Sequence, residues 1–122
     1  MKARTAFSRF TAAAVALLLS GPALAGSGYL IASVTSVLMN ADSTFGGCMA
    51  ALSVSPQSVL PGCQPTWVSF SCSGDFTDTV RAYRMVDIAE LALAADKPVY
   101  VEFSDDLKHN GYCFASRIDV LK

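Results

Sequence analysis

Residues 66–104 read TWVSFSCSGDFTDTVRAYRMVDIAELALAADKPVYVEFS, and their hydrophobic period changes twice. Residues 66–72 alternate. Val68, Phe70 and Cys72 share one face, and Trp67, Ser69 and Ser71 share the other, the pattern of a half-buried strand. Residues 78–95 contain no Gly or Pro and are rich in Ala, Leu, Met and Glu. At about 100° per residue, Ala82, Met85, Val86, Ala89, Ala92 and Leu93 fall on one helical stripe. Asp75, Thr77 and Asp78 offer N-caps, and Asp96-Lys97-Pro98 supplies a stop. After Pro98 the alternation returns, with Val99, Val101 and Phe103 on one side. A single helix is therefore expected between two strands.

Working outward, residues 29–39 (YLIASVTSVLM) read as a strand with Leu30, Ala32, Val34 and Leu38 inward. A turn-rich stretch, 40–47, separates it from residues 48–55 (CMAALSVS), where Cys48, Ala50, Leu52 and Val54 share a face. The loop 56–62 is bounded by two prolines. Residues 112–121 (YCFASRIDVL) put Phe114, Ile118 and Val120 on one side. Asn110-Gly111 before them is a hairpin signal, because both residues tolerate positive φ. The order β-β-β-α-β-β is that of an OB-fold-like five-stranded barrel. An α+β sandwich with the helix on one face is the alternative.

Lys2, Arg4 and Arg9 precede the apolar run 10–19, and Ala23-Leu24-Ala25 closes it, so residues 1–25 read as a secretory signal peptide. Residues 26–122 are then one domain, secreted or periplasmic. No further stretch of that domain is long and apolar enough for membrane insertion. The signal holds three of nine Lys+Arg and none of ten Asp+Glu, which leaves a net charge of −4. Such a chain, with no basic run, is a poor partner for nucleic acid or an anionic membrane. With 52% hydrophobic and 16% charged residues, it is not a disordered polyelectrolyte either.

Cys48, Cys63, Cys72 and Cys113 are even in number and lie in the exported part, which predicts two disulfides. Their spacing, without CxxC, argues against a metal site. If strands two and three pair so that partner numbers sum to 120, Cys48 faces Cys72, Ala50 faces Phe70 and Leu52 faces Val68 on one inward face. In such a barrel strands three and five are parallel neighbours. That brings together Cys63 and Cys113, both on the outward parity. A Cys72–Cys113 bond would have to span about 25–30 Å. The expected bonds are Cys48–Cys72 and Cys63–Cys113.

No constellation for catalysis is legible. The sole histidine, His109, sits beside the hairpin turn and reads as solvated, and Asp105-Asp106 read as solvated turn acids. No GxSxG elbow or phosphate-binding glycine motif occurs, and no cofactor is called for. Two features suggest binding instead. Trp67 with Ser69 and Ser71 offers an aromatic plate beside hydroxyls, suited to a sugar. On the helix's other side Val80, Arg84, Asp87 and Leu91 mix apolar and opposite charges, a candidate subunit interface.

FGGCMAALSVS, WVSFSCSGDF and the helix that follows resemble the B subunits of bacterial A–B toxins of the subtilase-cytotoxin type. KHNGYCFASRIDVL is similar to small uncharacterised secreted bacterial proteins that end in the same way. The toxin resemblance implies a ring-forming, non-enzymatic module that binds a glycan or protein receptor as a homo-oligomer. The alternative is a monomeric periplasmic partner or inhibitor of an enzyme.

Overall fold

A computed structural model describes residues 26–122, so the signal-peptide reading of 1–25 lies outside the described residues. Five strands and one long helix follow the expected order: β1 (Ser27–Met39), β2 (Cys48–Leu52), β3 (Trp67–Ser69), α1 (Thr79–Ala95), β4 (Pro98–His109) and β5 (Tyr112–Val120). The strands close into a ring, β1-β2-β3-β5-β4, with β4 returning to β1. Every pairing is antiparallel except β3 with β5, which is parallel, as the cysteine argument requires. The closing contact between β3 and β5 is one residue pair, Ser69 with Phe114.

Leu30, Ala32, Val34, Ala50, Val68, Val99, Val101, Phe103 and Ile118 point into the ring and are buried. α1 packs chiefly against β1 and β5. Its buried residues are Ala82, Val86, Ala89 and Ala92, three of them alanines, and their small side chains let the helix lie close to the strands. Asp78 caps α1 by accepting the Arg81 backbone N–H at 3.0 Å. Asp96 ends it in the left-handed conformation at φ 50°. Asn110 and Gly111 both have positive φ, as the two-residue hairpin turn demands.

Several sequence expectations need correction. Leu93 is exposed, and Ile88, outside the expected stripe, packs against the core. A bulge between Val34 and Ser36 moves the inward position of β1 from Leu38 to Val37. β2 stops at Leu52, so Val54 is exposed, while Met49 and Ala51 are buried along with the inward set. β4 runs on to His109, which places Asp105 and Asp106 in the strand. Asp105 accepts the backbone N–H of Gly26 there.

β2 and β3 pair as Met49–Ser69, Ala50–Val68 and Ala51–Trp67, two residues away from the register inferred above. The cysteine pairs nevertheless form as expected: Cys48–Cys72 with Cα atoms 5.6 Å apart and Cys63–Cys113 with 5.3 Å. Cys48 reaches Cys72 because the chain leaves the ladder after Ser69 and turns at Ser71, whose φ is 60°. The second pair is buried in the core and does not lie on an outer face.

Candidate functional site

The aromatic-hydroxyl plate expected on β3 does not exist as an open surface. Trp67 is half-buried, and Ser69 and Ser71 are fully buried. The Ser69 hydroxyl donates to the Phe45 carbonyl at 2.8 Å, so the 40–47 turn covers this face. Ser71 Oγ lies 3.0 Å from His109 Nε2, and His109 Nδ1 lies 4.0 Å from the Asp75 carboxylate. His109 is thus buried, not a solvated tip residue, because the 40–47 and 70–78 turns close over the end of β4.

Serine, histidine and aspartate in this order repeat the chemical sequence of a hydrolytic triad. Their packing assigns them another task. Ser71 Oγ accepts the Phe76 backbone N–H at 3.1 Å, and in the tautomer that protonates Nδ1 it donates its own proton to Nε2. The Phe76 ring covers the imidazole, with centroids 4.3 Å apart. The Ser71 hydroxyl is buried and held by these two contacts. Burial holds the His109 pKa below its ordinary value, against a smaller upward pull from Asp75, which favours the neutral imidazole. Gly46 belongs to the same junction. A Cβ there would lie 2.5 Å from both His109 Cδ2 and Ser69 Oγ, and its φ is 76°. The cluster is a clasp between two turns and a strand.

The open aromatic surface lies elsewhere, on the outer face of β1, β4 and β5. Tyr29 is 62% exposed and stacks on Tyr100 with centroids 5.3 Å apart and planes inclined by 23°. The register explains the meeting. Tyr29 pairs with Glu102 and Ile31 with Tyr100, so the two tyrosines are diagonal neighbours on one face. Across β5, Tyr100 pairs with Asp119 and Glu102 with Arg117. The Arg117 guanidinium sits 5.2 Å from the Tyr100 ring centroid and holds Asp119 through Nε at 3.1 Å and Nη2 at 2.6 Å. The hydrogen bond to Asp119 keeps Arg117 firmly protonated. Exposed Ile31 and Ser33 extend the face along β1. Outward parity of Tyr29 and Tyr100 is readable from alternation alone, but their stacking needs the β1–β4 register.

On the helix, Val80, Arg84, Asp87 and Leu91 are all exposed. Arg84 and Asp87 pair with each other at 3.2 Å within one helix face. Both charges therefore already have a partner in their own chain. Val80 and Arg84 also border a cleft between α1 and β5, which Leu91 does not touch. Among the described residues no helix is long and apolar enough to cross a membrane. No family model, curated protein or solved structure matches this chain.

Proposed function

We propose that this chain is a secreted or periplasmic, non-enzymatic binding module built on an OB-fold-like barrel. It holds a glycan or a receptor on the Tyr29–Tyr100 face and acts as a homo-oligomer in the manner of a toxin B subunit. The observation that carries this reading is the stacked tyrosine pair, Tyr29 exposed and Tyr100 half-buried, flanked by Glu102, Arg117 and Asp119. A sugar ring offers C–H groups to an aromatic face and hydroxyls to nearby charged groups, and this surface presents both. The enclosure of Ser71 supports binding over catalysis.

Export has its own support. Gly26, the first residue after the signal, is tied to β4 at three points. Its N–H donates to the Asp105 carboxylate, and its carbonyl accepts the Asp105 N–H at 3.1 Å and the Ser104 hydroxyl at 3.1 Å. Cleavage after Ala25 converts that N–H into an α-ammonium beside a carboxylate, a charge-assisted bond that anchors the start of β1.

A glycan array probed with wild type and with Tyr29→Ala/Tyr100→Ala tests the reading. Wild type is expected to retain one set of related glycans, and the double variant to lose the signal by about tenfold or more, since aromatic anchors typically carry a large share of binding energy. Equal retention by both proteins would remove this face from recognition.

A further inference from the structure

Residues 26–122 contain three arginines, Arg81, Arg84 and Arg117, and all three line the cleft between α1 and β5. In a segment of net charge −4, that gathering sets this place apart from the rest of the surface. Arg81 and Arg84 stand on the N-terminal part of α1, and Arg117 borders the cleft from β5 while its guanidinium is turned to the Tyr100 ring and Asp119. The cleft measures about 430 Å³, within the size of small-molecule sites. Phe76, Met85, Phe114 and Ile118 make its lining largely apolar, and Thr77 and Ser116 add hydroxyls.

Each guanidinium is steadied by a carboxylate: Arg81 by Asp78 at 3.1 Å, Arg84 by Asp87 at 3.2 Å and Arg117 by Asp119 at 2.6 Å. These pairs use one or two of the five N–H groups that each guanidinium carries and leave the others for a further acceptor. A wholly apolar ligand gives no reason for three arginines. A bare inorganic anion gives no reason for a lining of phenylalanine, methionine and isoleucine. We propose that the cleft binds an organic anion with an apolar body, such as a medium-chain carboxylate. The chain lies against Phe76, Met85, Phe114 and Ile118, and the carboxylate accepts from the arginine N–H groups.

The test uses the exported, oxidised protein and sodium decanoate as probe, with 1-decanol and sodium acetate as uncharged and tail-less controls. Calorimetry gives the affinities, and amide chemical shifts locate the probe. Decanoate is expected to bind one per chain and to perturb amides within 76–85 and 114–118. Decanol is expected to bind at least about tenfold more weakly, and acetate without detectable heat. Arg84→Gln removes an exposed charge and spares the fold, and is expected to weaken decanoate about tenfold, the scale of one charged hydrogen bond. Val80→Trp, at a position 68% exposed on the cleft wall, is expected to obstruct the cleft and abolish binding.

Equal affinity for decanol and decanoate would overturn the anion assignment. So would a decanoate affinity unchanged in Arg84→Gln. Perturbations confined to the Tyr29–Tyr100 face, or none up to the solubility of decanoate, would overturn the site. The cleft and the tyrosine face share Arg117, so the substitutions are confined to Arg84 and Val80, and glycan retention by these variants at the wild-type level keeps the two readings distinguishable.

Discussion

The two ends of β4 carry opposite chemistries. At its C-terminal end, where it meets the 40–47 and 70–78 turns, Ser69, Ser71 and His109 are buried and bonded to one another or to backbone. The Cys48–Cys72 bond closes the same region. At its N-terminal end, Tyr100 and Glu102 share an outer face with exposed Tyr29 and Ile31, and the charges there sit at the surface. Polar groups in the first region are spent on holding three segments together. Polar and aromatic groups in the second have capacity left for a partner. The first region's serine and histidine are enclosed, whereas the second offers an exposed Tyr29 stacked on a half-buried Tyr100.

The largest effect expected from breaking the first region comes from its disulfides. Replacing Cys48 and Cys72 together by Ser is expected to cost about 2–5 kcal/mol, measured by urea unfolding, as for native disulfides in small secreted domains. The Cys63–Cys113 pair should behave similarly. A loss below about 1 kcal/mol for both would mean that the core of this small domain suffices without staples.

The clasp comes next. Ser71→Ala leaves the buried His109 Nε2 without its donor and is expected to cost about 1–3 kcal/mol while glycan retention by folded protein stays unchanged. The histidine also sets a pH dependence. Its folded pKa is depressed, so the unfolded chain binds the proton first as pH falls. Stability contributed by the neutral imidazole is fully present above the unfolded value near ~6.5 and is lost as pH falls through the folded value. Unfolding free energies of wild type and His109→Gln measured between pH 7.5 and 4.5 should diverge, the wild type having the steeper acid-side slope. Parallel curves would mean that burial does not perturb this group.

Leu91→Glu should change stability least, because Leu91 is 60% exposed in the chain. If the outer helix face joins subunits, light scattering should show the wild type as an oligomer and this variant as a smaller species, since the carboxylate would be buried unpaired at the contact. Wild type and variant both measured as monomers would leave the single chain as the binding unit.

Much of this division is legible in the sequence, and its failures have identifiable causes. The element order, the capped helix at 79–95 and the Asn110-Gly111 turn follow from local chemistry. The disulfides follow from parity, but the register offered for them is displaced by two. A one-residue slip would turn Ala50 and Val68 outward, whereas a two-residue slip keeps every inward residue inward, so hydrophobic alternation is blind to it. Ser69 and Ser71 have the outward parity of solvent-facing residues. Their burial depends on the 40–47 turn folding back, which brings Phe45 and Gly46 against them from more than twenty positions away. His109 beside Asn-Gly reads as a loop tip for the same reason. Tyr29 and Tyr100 are separated along the chain by β2, β3 and α1, and only closure of β4 onto β1 stacks them.

The most direct measurement of where recognition resides is an amide-shift titration of oxidised residues 26–122 with a glycan retained on the array. Perturbations are expected to cluster on residues 29–33, 98–102 and 117–119, with Gly46, Ser71 and His109 unmoved. Shifts centred on Gly46, Ser71 and His109, with Tyr29 and Tyr100 silent, would contradict the account and return function to the clasp.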